Sequence, residues 1–216
     1  MKKIASPLFQ DLSEAELDTL AAAGHLRTRQ FAKHEVIFRA GSCVREIGIV
    51  LRGSVHIENL DLWGTKSILS SVGAGQAFAE TYAFCGEALM VDAVAAEHCE
   101  ILFLHTAAFT DARIEPALQD KLLRRLLAVS MRKNLSLSQR IFCTTPKTVR
   151  GRLLTYFSAQ VARCGRMAFE VPFNRQQMAD YLNLDRSALS KELCKMRDEG
   201  LLEFDKNRFV LKQLPE

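Results

Sequence analysis

The sequence predicts an α+β chain: an N-terminal antiparallel β-barrel of jelly-roll type, a long central dimerisation helix and a C-terminal winged helix-turn-helix. Three observations predict it. Between His25 and about Leu104, short runs rich in Val, Ile, Phe and Leu alternate with turn residues, the texture of an all-β domain. From Pro116 to Phe142 there is neither a glycine nor a further proline, and apolar residues recur at helical spacing. Between Phe173 and Leu211, two helices with capping residues precede two short apolar runs that flank a polar turn. The expected domains are 1–113, 114–142 and 143–216.

The chain opens on a short helix, because Ser13 and Glu16 have capping-box spacing and Leu17, Leu20 and Ala21 follow before Gly24 stops the run. The strands of the barrel include Glu35 to Phe38, Ile47 to Leu51 and Ser67 to Leu69, with turns at Gly41, Gly53, Gly64 and Gly73-Ala74-Gly75. In the central helix Leu118, Leu122, Leu126 and Val129 recur at steps of four, four and three, while Lys121, Arg124, Arg125, Arg132, Lys133 and Arg140 occupy other faces. That leaves one apolar stripe to bury, which suits a two-stranded seam between copies of the chain; packing on its own barrel is the alternative. Thr145-Pro146 has the form of an N-cap with proline at the first helical position, so a further helix is expected from there to Cys164, ended by Gly165.

Asn174 followed by Gln177 caps a helix with Met178, Ala179 and Leu182 inward. Asn183 falls at a sharp turn, where its tolerance of left-handed backbone is useful. Asp185 caps the next helix, with Ala188, Leu189, Leu193 and Met196 inward and Arg186, Ser187, Ser190, Lys191 and Lys195 outward. Small Ala179 permits close approach, and the second helix becomes a rod that fits a major groove. After Gly200, Leu201 to Phe204 and Arg208 to Leu211 form a hairpin wing around Asp205-Lys206-Asn207. Arg186, in the first turn of the recognition helix, has the planar fork that bridges the O6 and N7 of guanine. Ser187, Ser190 and Lys191 reach bases or nearby phosphates, and Arg175, Gln176 and Lys206 position the backbone.

Composition restricts the classes further. The 216 residues are 48% apolar, enough to bury a core in each domain, and the net charge of +4 is too small for bulk attraction to nucleic acid. No run approaches the roughly 20 apolar residues of a membrane span, and Met1-Lys2-Lys3 precedes no signal-peptide core, so a cytoplasmic protein is expected. The six cysteines show no C-x-x-C pair, which argues against zinc or redox motifs and for buried or half-buried thiols. No metal site is expected, and no cofactor beyond an unidentified small-molecule effector.

The motifs Arg52-Gly53-Ser54-Val55, Gly75-Gln76-Ala77-Phe78-Ala79-Glu80, the long helix, Asn174 to Leu182 and Arg186 to Leu193 together resemble the cAMP receptor protein and FNR (Crp/Fnr) superfamily of bacterial transcription regulators. The resemblance extends over nearly the whole chain. It implies a barrel that senses a small molecule or redox state, a homodimer, recognition helices in successive major grooves of palindromic double-stranded DNA, and RNA polymerase as a further partner. It also exposes departures. Cyclic-nucleotide binders of the family hold the ribose with a Gly-Glu pair and the phosphate with an Arg-Ser pair; here the residues are Ala79-Glu80 and Leu89-Met90-Val91-Asp92. A carboxylate without a cation repels a cyclic phosphate, so cAMP is not the expected effector. No cysteine precedes Cys43, so the FNR cluster is not expected, and none of the five histidines falls in a matching haem motif. Ser187 and Lys191 replace a Glu and an Arg found in many relatives, so no known operator is inherited. An effector pocket is expected near Phe78, Glu80, Thr81, Phe84, Leu89 and Val91, with a filled core as the alternative.

Two other classes are weaker. A cupin enzyme needs His-x-His, which is missing, and no G-x-S-x-G elbow supports a hydrolase. A ligand-binding module that acts through protein contacts alone does not explain the capped helix pair and wing.

Overall fold

The computed structural model describes residues 4–60 and 66–212. The turn at Gly64 and the Met1-Lys2-Lys3 start lie outside the described residues. The chain divides into two compact units, Met1–Arg132 and Lys133–Glu216.

In the first unit, a 3-10 turn at Pro7–Phe9 leads to α1 (Glu14–Ala22). The Ser13 hydroxyl accepts from the Glu16 amide at 3.2 Å while Glu16 Oε2 accepts from the Ser13 amide at 2.7 Å, so both orphan donors are satisfied. Strands β1 (Leu26–Phe31), β2 (Val36–Phe38), β3 (Glu46–Arg52), β4 (Ser54–Leu60), β5 (Lys66–Gly73), β6 (Ala77–Phe78), β7 (Asp92–Ala95) and β8 (Cys99–His105) follow, with α2 (Glu80–Cys85) between β6 and β7. They form two four-stranded antiparallel sheets, ordered β1-β8-β3-β6 and β2-β7-β4-β5. This is the expected jelly roll.

Alternation along the strands divides the apolar residues between two cores. Phe31, Val50, Ile101 and Phe103 of the first sheet meet Phe38, Val55, Ala93 and Ala95 of the second. The opposite face of the first sheet, with Ile47, Ile49, Leu102 and Leu104, is covered by Leu17 and Leu20 of α1. Because that sheet is buried on both faces, Ile101-Leu102-Phe103-Leu104 is apolar throughout rather than alternating.

The long helix α3 (Pro116–Thr144) corrects one expectation. Leu118, Leu122 and Leu126 are 3%, 0% and 5% exposed and join the same core as Leu17, Ile47 and Leu104, and Val129 is half-buried. The stripe assigned to a dimer seam therefore covers the chain's own sheet. The reason is that the outer face of the first sheet is itself apolar and needs a cover. A second apolar set stands on α3 all the same: Leu123, Leu127, Leu137 and Ile141 are 47%, 56%, 61% and 66% exposed.

In the second unit, α4 (Val149–Cys164) starts at an N-cap three residues later than expected. Thr148 accepts from the Gly151 amide at 3.0 Å, whereas the Thr145 hydroxyl donates back to the Ile141 carbonyl at 2.8 Å and belongs to the end of α3. Pro146 sits where a Cβ on Gly151 would approach its ring carbon to 2.9 Å, which accounts for a glycine inside the first turns of a helix. Beyond β9 (Ala168–Glu170), α5 (Arg175–Leu182) and α6 (Arg186–Asp198), the hairpin β10 (Leu202–Asp205) and β11 (Arg208–Leu211) completes a sheet of order β10-β11-β9. Strand β9 has no counterpart in the sequence-based expectation. Leu153, Phe157, Phe169, Met178, Leu189, Leu193, Met196 and Phe209 make one continuous core.

The cysteines also differ from expectation. Cys99 and Cys143 are buried, but Cys43, Cys85, Cys164 and Cys194 are exposed and unpaired by disulfides. Cys85 and Cys164 are the last residues of α2 and α4, and Cys194 lies on the outer side of α6, so the core does not reach them. Among the described residues, no helix is long and apolar enough to cross a membrane.

Candidate nucleic-acid interface and sensor region

Two reciprocal caps and one left-handed residue build the helical pair. Asn174 Oδ1 accepts from the Gln177 amide and Gln177 Oε1 from the Asn174 amide, both at 2.9 Å. Asn183 closes α5 at φ 53 and ψ 53, letting the Leu184 amide return to the Ala179 carbonyl at 2.9 Å. Asp185 Oδ1 then accepts from the amides of Ser187 and Ala188 at 2.8 and 3.0 Å. The Ser187 hydroxyl above all, then the amides of Ala188 and Ser187, hold the Asp185 carboxyl below its ordinary pKa, so the cap stays ionised at neutral pH. Met178, Ala179, Leu182, Leu189, Leu193 and Met196 are all 0% exposed, which fixes α6 against the domain.

Three arginines outside the motif brace it. Arg152 donates to the carbonyls of Leu182 at 3.1 Å, Asn183 at 2.7 Å and Pro146 at 2.8 Å. Arg140, near the end of α3, donates to the carbonyls of Tyr181 and Asp180 at 3.1 and 3.0 Å. Two cations thus satisfy the last carbonyls of α5, where the helix dipole favours positive charge. Arg150 of α4 reaches Glu192 at 2.6 Å and Glu199 at 2.8 Å, tying α6 along its length. Sequence reading missed all three, since apart from the Arg152 bond to Pro146 each acts on groups 30 or more residues away; repeated arginines in a segment with apolar spacing were the available signal.

On the outer face of α6, Arg186, Ser187 and Lys191 are exposed and Ser190 is half-buried. Arg186 and Lys191 make no hydrogen bond or ion pair among the described residues, whereas the Ser187 hydroxyl donates to Asp185. Gln176 is exposed and its amide donates to Asp180 at 2.9 Å. Arg175 is half-buried, with its guanidinium 4.8 Å from the Phe204 ring centre and 5.1 Å from that of Phe209. Burial lowers its pKa. Lys206, at φ 51, forms the wing's two-residue turn with Asn207. Arg175 and Lys206 share a cleft of about 770 Å³ that also includes Val171, Phe173 and Asn174. The outward face of α6, the start of α5 and the wing tip therefore each carry at least one exposed polar or cationic side chain.

In the first unit the six residues expected around an effector separate by depth. Phe78 and Leu89 are 2% and 5% exposed in the aromatic core, and the Phe78 ring lies so close to Gly48 that a Cβ there would collide with it. Glu80, the first residue of α2, is 5% exposed. Thr81 and Phe84 are exposed, Phe84 standing edge-on to Phe109 at 5.5 Å, and Val91 is half-buried. Met90 is 77% exposed. Asp92 Oδ1 accepts from the Ala40 amide at 2.6 Å, so its carboxylate is built into the strand entrance.

A jelly-roll sensor unit and a winged helix-turn-helix with a free cationic face define a DNA-binding regulator. The comparisons agree. The family model for the cyclic nucleotide-binding domain matches residues 28–113, and the model for the Crp-like helix-turn-helix domain matches residues 151–216. The solved structure of the Thermus thermophilus catabolite activator protein is 25% identical, with 96% of this chain and 94% of that chain covered and a TM-score of 0.50. FixK2 of Bradyrhizobium japonicum shares the fold at 19% identity, 87% and 93% coverage and a TM-score of 0.53. The regulator CLP of Xanthomonas campestris does so at 17% identity, 93% and 100% coverage and a TM-score of 0.55. A search of the curated proteins finds no match. The chain belongs to the Crp/Fnr superfamily of transcription regulators, with a sensory domain of the cyclic-nucleotide-binding type and a DNA-binding helix-turn-helix.

Proposed function

We propose that the chain acts as a homodimer on a palindromic operator, one α6 per half-site, under the control of an effector other than cAMP. The observation that carries the DNA reading is α6 itself: Leu189, Leu193 and Met196 of its inner face are fully buried and Ala188 half-buried, and its outer face presents Arg186 and Lys191 without protein partners among the described residues. Because the helix is fixed and these cations have no protein ion pair to break, each meets a base or phosphate at the cost of ordering its own side chain, about 0.5–1.5 kcal/mol. Arg186 reads a guanine, Ser190 and Lys191 contact neighbouring bases or phosphates, and Ser187 contributes mainly through the cap. Gln176 and Lys206 hold the phosphate backbone. Arg175 supports them by stacking beneath the wing, at the edge of the same cleft.

The dimer is supported by the second apolar face of α3, whose Leu123, Leu127, Leu137 and Ile141 are exposed along one helix. A twofold contact lets both copies bury this face together. Regulation through RNA polymerase is the further partnership expected of such a dimer in the cytoplasm, and co-purification of the polymerase with operator-bound protein tests it.

Met90, Val91 and Asp92 disfavour cAMP. No side chain in this run is cationic, and Asp92 holds a carboxylate against the Ala40 amide. With Phe78, Glu80 and Leu89 all buried, the groups of this set open to an effector are Thr81, Phe84 and Val91, which suit an aromatic molecule. Thermal unfolding with millimolar cAMP tests the exclusion: no change in Tm is expected, and a rise of several degrees contradicts it. The DNA reading is tested by selecting genomic fragments with the purified protein and titrating the best fragment against a scrambled one.

A further inference from the structure

One set of residues on α3 follows a heptad period, while Met131, Leu135 and Phe142, also exposed, lie off it. Leu123, Leu127, Ser130, Asn134, Leu137 and Ile141 are separated by steps of four, three, four, three and four, a heptad pattern of about 27 Å at 1.5 Å per residue. Leu123, Leu127, Leu137 and Ile141 are more than 45% exposed, Ser130 is half-buried and Asn134 is exposed. A strict 3.5-residue period is the one that keeps a seam facing a supercoiled partner, whereas a helix packed on its own domain drifts with the 3.6-residue period. Leu118, Leu122 and Leu126 already serve the domain's own core, so the heptad is a separate face. At the C-terminal end of the series Leu137 at d and Ile141 at a match the arrangement that favours two parallel strands, whereas Leu127 at a and Ser130 at d do not.

Two positions break the apolar series, Ser130 and Asn134, and the second does so with a carboxamide. Asn134 falls at an a position, midway between Leu127 and Ile141. Its Oδ1 accepts from the Ser138 hydroxyl at a long 3.4 Å, and its amide nitrogen makes no hydrogen bond among the described residues. We propose that Asn134 pairs with the Asn134 of a second copy across the twofold axis, and so fixes the register and two-strandedness of the dimer. This rests on the homodimer reading above. In a seam that is aliphatic at Leu123, Leu127, Leu137 and Ile141, with only the small Ser130 beside it, an unpaired carboxamide is costly, and a paired one requires both helices to be parallel and in step. Slipped and antiparallel arrangements leave the amide buried without its partner. Stability is given up for one geometry, and that geometry sets the spacing of the two recognition helices.

The test uses the full chain in sedimentation equilibrium over a dilution series, with the variants Asn134→Leu, Leu137→Ser and Gln139→Leu. Expected are a dimer for the natural sequence, about a tenfold tighter association with trimer or larger species for Asn134→Leu, a loss of at least about 100-fold in association for Leu137→Ser, and no change for Gln139→Leu, which faces away from the seam. If Leu137→Ser dissociates the dimer while Asn134→Leu changes neither affinity nor stoichiometry, Asn134 lies outside the seam and the proposal is overturned with the dimer intact. If the natural chain is monomeric at all concentrations, or if Leu137→Ser leaves the dimer unchanged, the assignment of this face to a second copy fails, and the proposal with it.

Discussion

At the residue scale, Arg186 concentrates the specificity. Arg186→Ala is expected to lose about 1–3 kcal/mol of specific binding and to relax discrimination at one operator position, read by competition among single-base operator variants. Ala79 bears strain: it stands at φ 61 before α2, in a region that costs a residue with a Cβ. Ala79→Gly should stabilise the first unit by about 0.5–1 kcal/mol in urea unfolding, and a loss of stability would show that the Ala79 methyl has a packing role. Asp111 supplies a pH prediction. Its carboxylate meets Arg113 at 2.6 Å and the buried His25 at 2.7 Å, and above all the Arg113 guanidinium, then the Arg113 amide, hold it well below the usual carboxylate range. A depressed folded pKa gives stability that is complete above the unfolded value near ~3.9 and is lost as pH falls through the folded one. Asp111→Asn should therefore lower the urea midpoint at pH 7, with a smaller difference at pH 3.

At the scale of elements, the bracing of α5 is the feature to test. Arg152→Ala leaves the carbonyls of Leu182, Asn183 and Pro146 without their charged donor, for an expected loss of about 1.5–3 kcal/mol in the second unit, read as a lower unfolding midpoint. An unchanged midpoint would mean that water replaces the guanidinium at no cost. The same elements show what the sequence makes legible. Ser13 with Glu16, Asn174 with Gln177, Asp185 and Asn183 were readable because a cap is a local interaction whose two partners lie within four residues. Thr145-Pro146 has the same local form and still fails as a cap, because α3 continues through Thr144 and its final carbonyl partners compete for the threonine. The face of α3 was misassigned for a different reason. Two apolar series share that helix, and which one meets the chain's own sheet depends on Ile47, Ile49, Leu102 and Leu104, about 15 to 80 residues earlier. Strand β9 is three residues long and pairs with β11 across the helix-turn-helix, too short and too distant for a periodic signal.

At the scale of the whole molecule, fold and family follow from the two units, while operator and effector lie in side chains that the fold does not dictate. Helical spacing alone places Arg186, Ser187, Ser190 and Lys191 on the outer face of α6; the first two and Lys191 are exposed there and Ser190 is half-buried. The sensor residues were less legible: Phe78 and Leu89 are core by depth, and spacing does not distinguish a pocket wall from a filled interior. Dimerisation connects the units to function, because two copies of α6 on one face of DNA meet successive major grooves about 34 Å apart.

The most direct test of this account is the affinity of the purified protein for its best selected genomic fragment against a scrambled fragment, across a salt series. The account predicts a palindrome with half-sites one helical turn apart, bound at least about 10³-fold more tightly than the scrambled control, with log affinity falling steeply and linearly in log salt. Equal affinity for both fragments at every salt concentration, with and without cell extract to supply an effector, would contradict it.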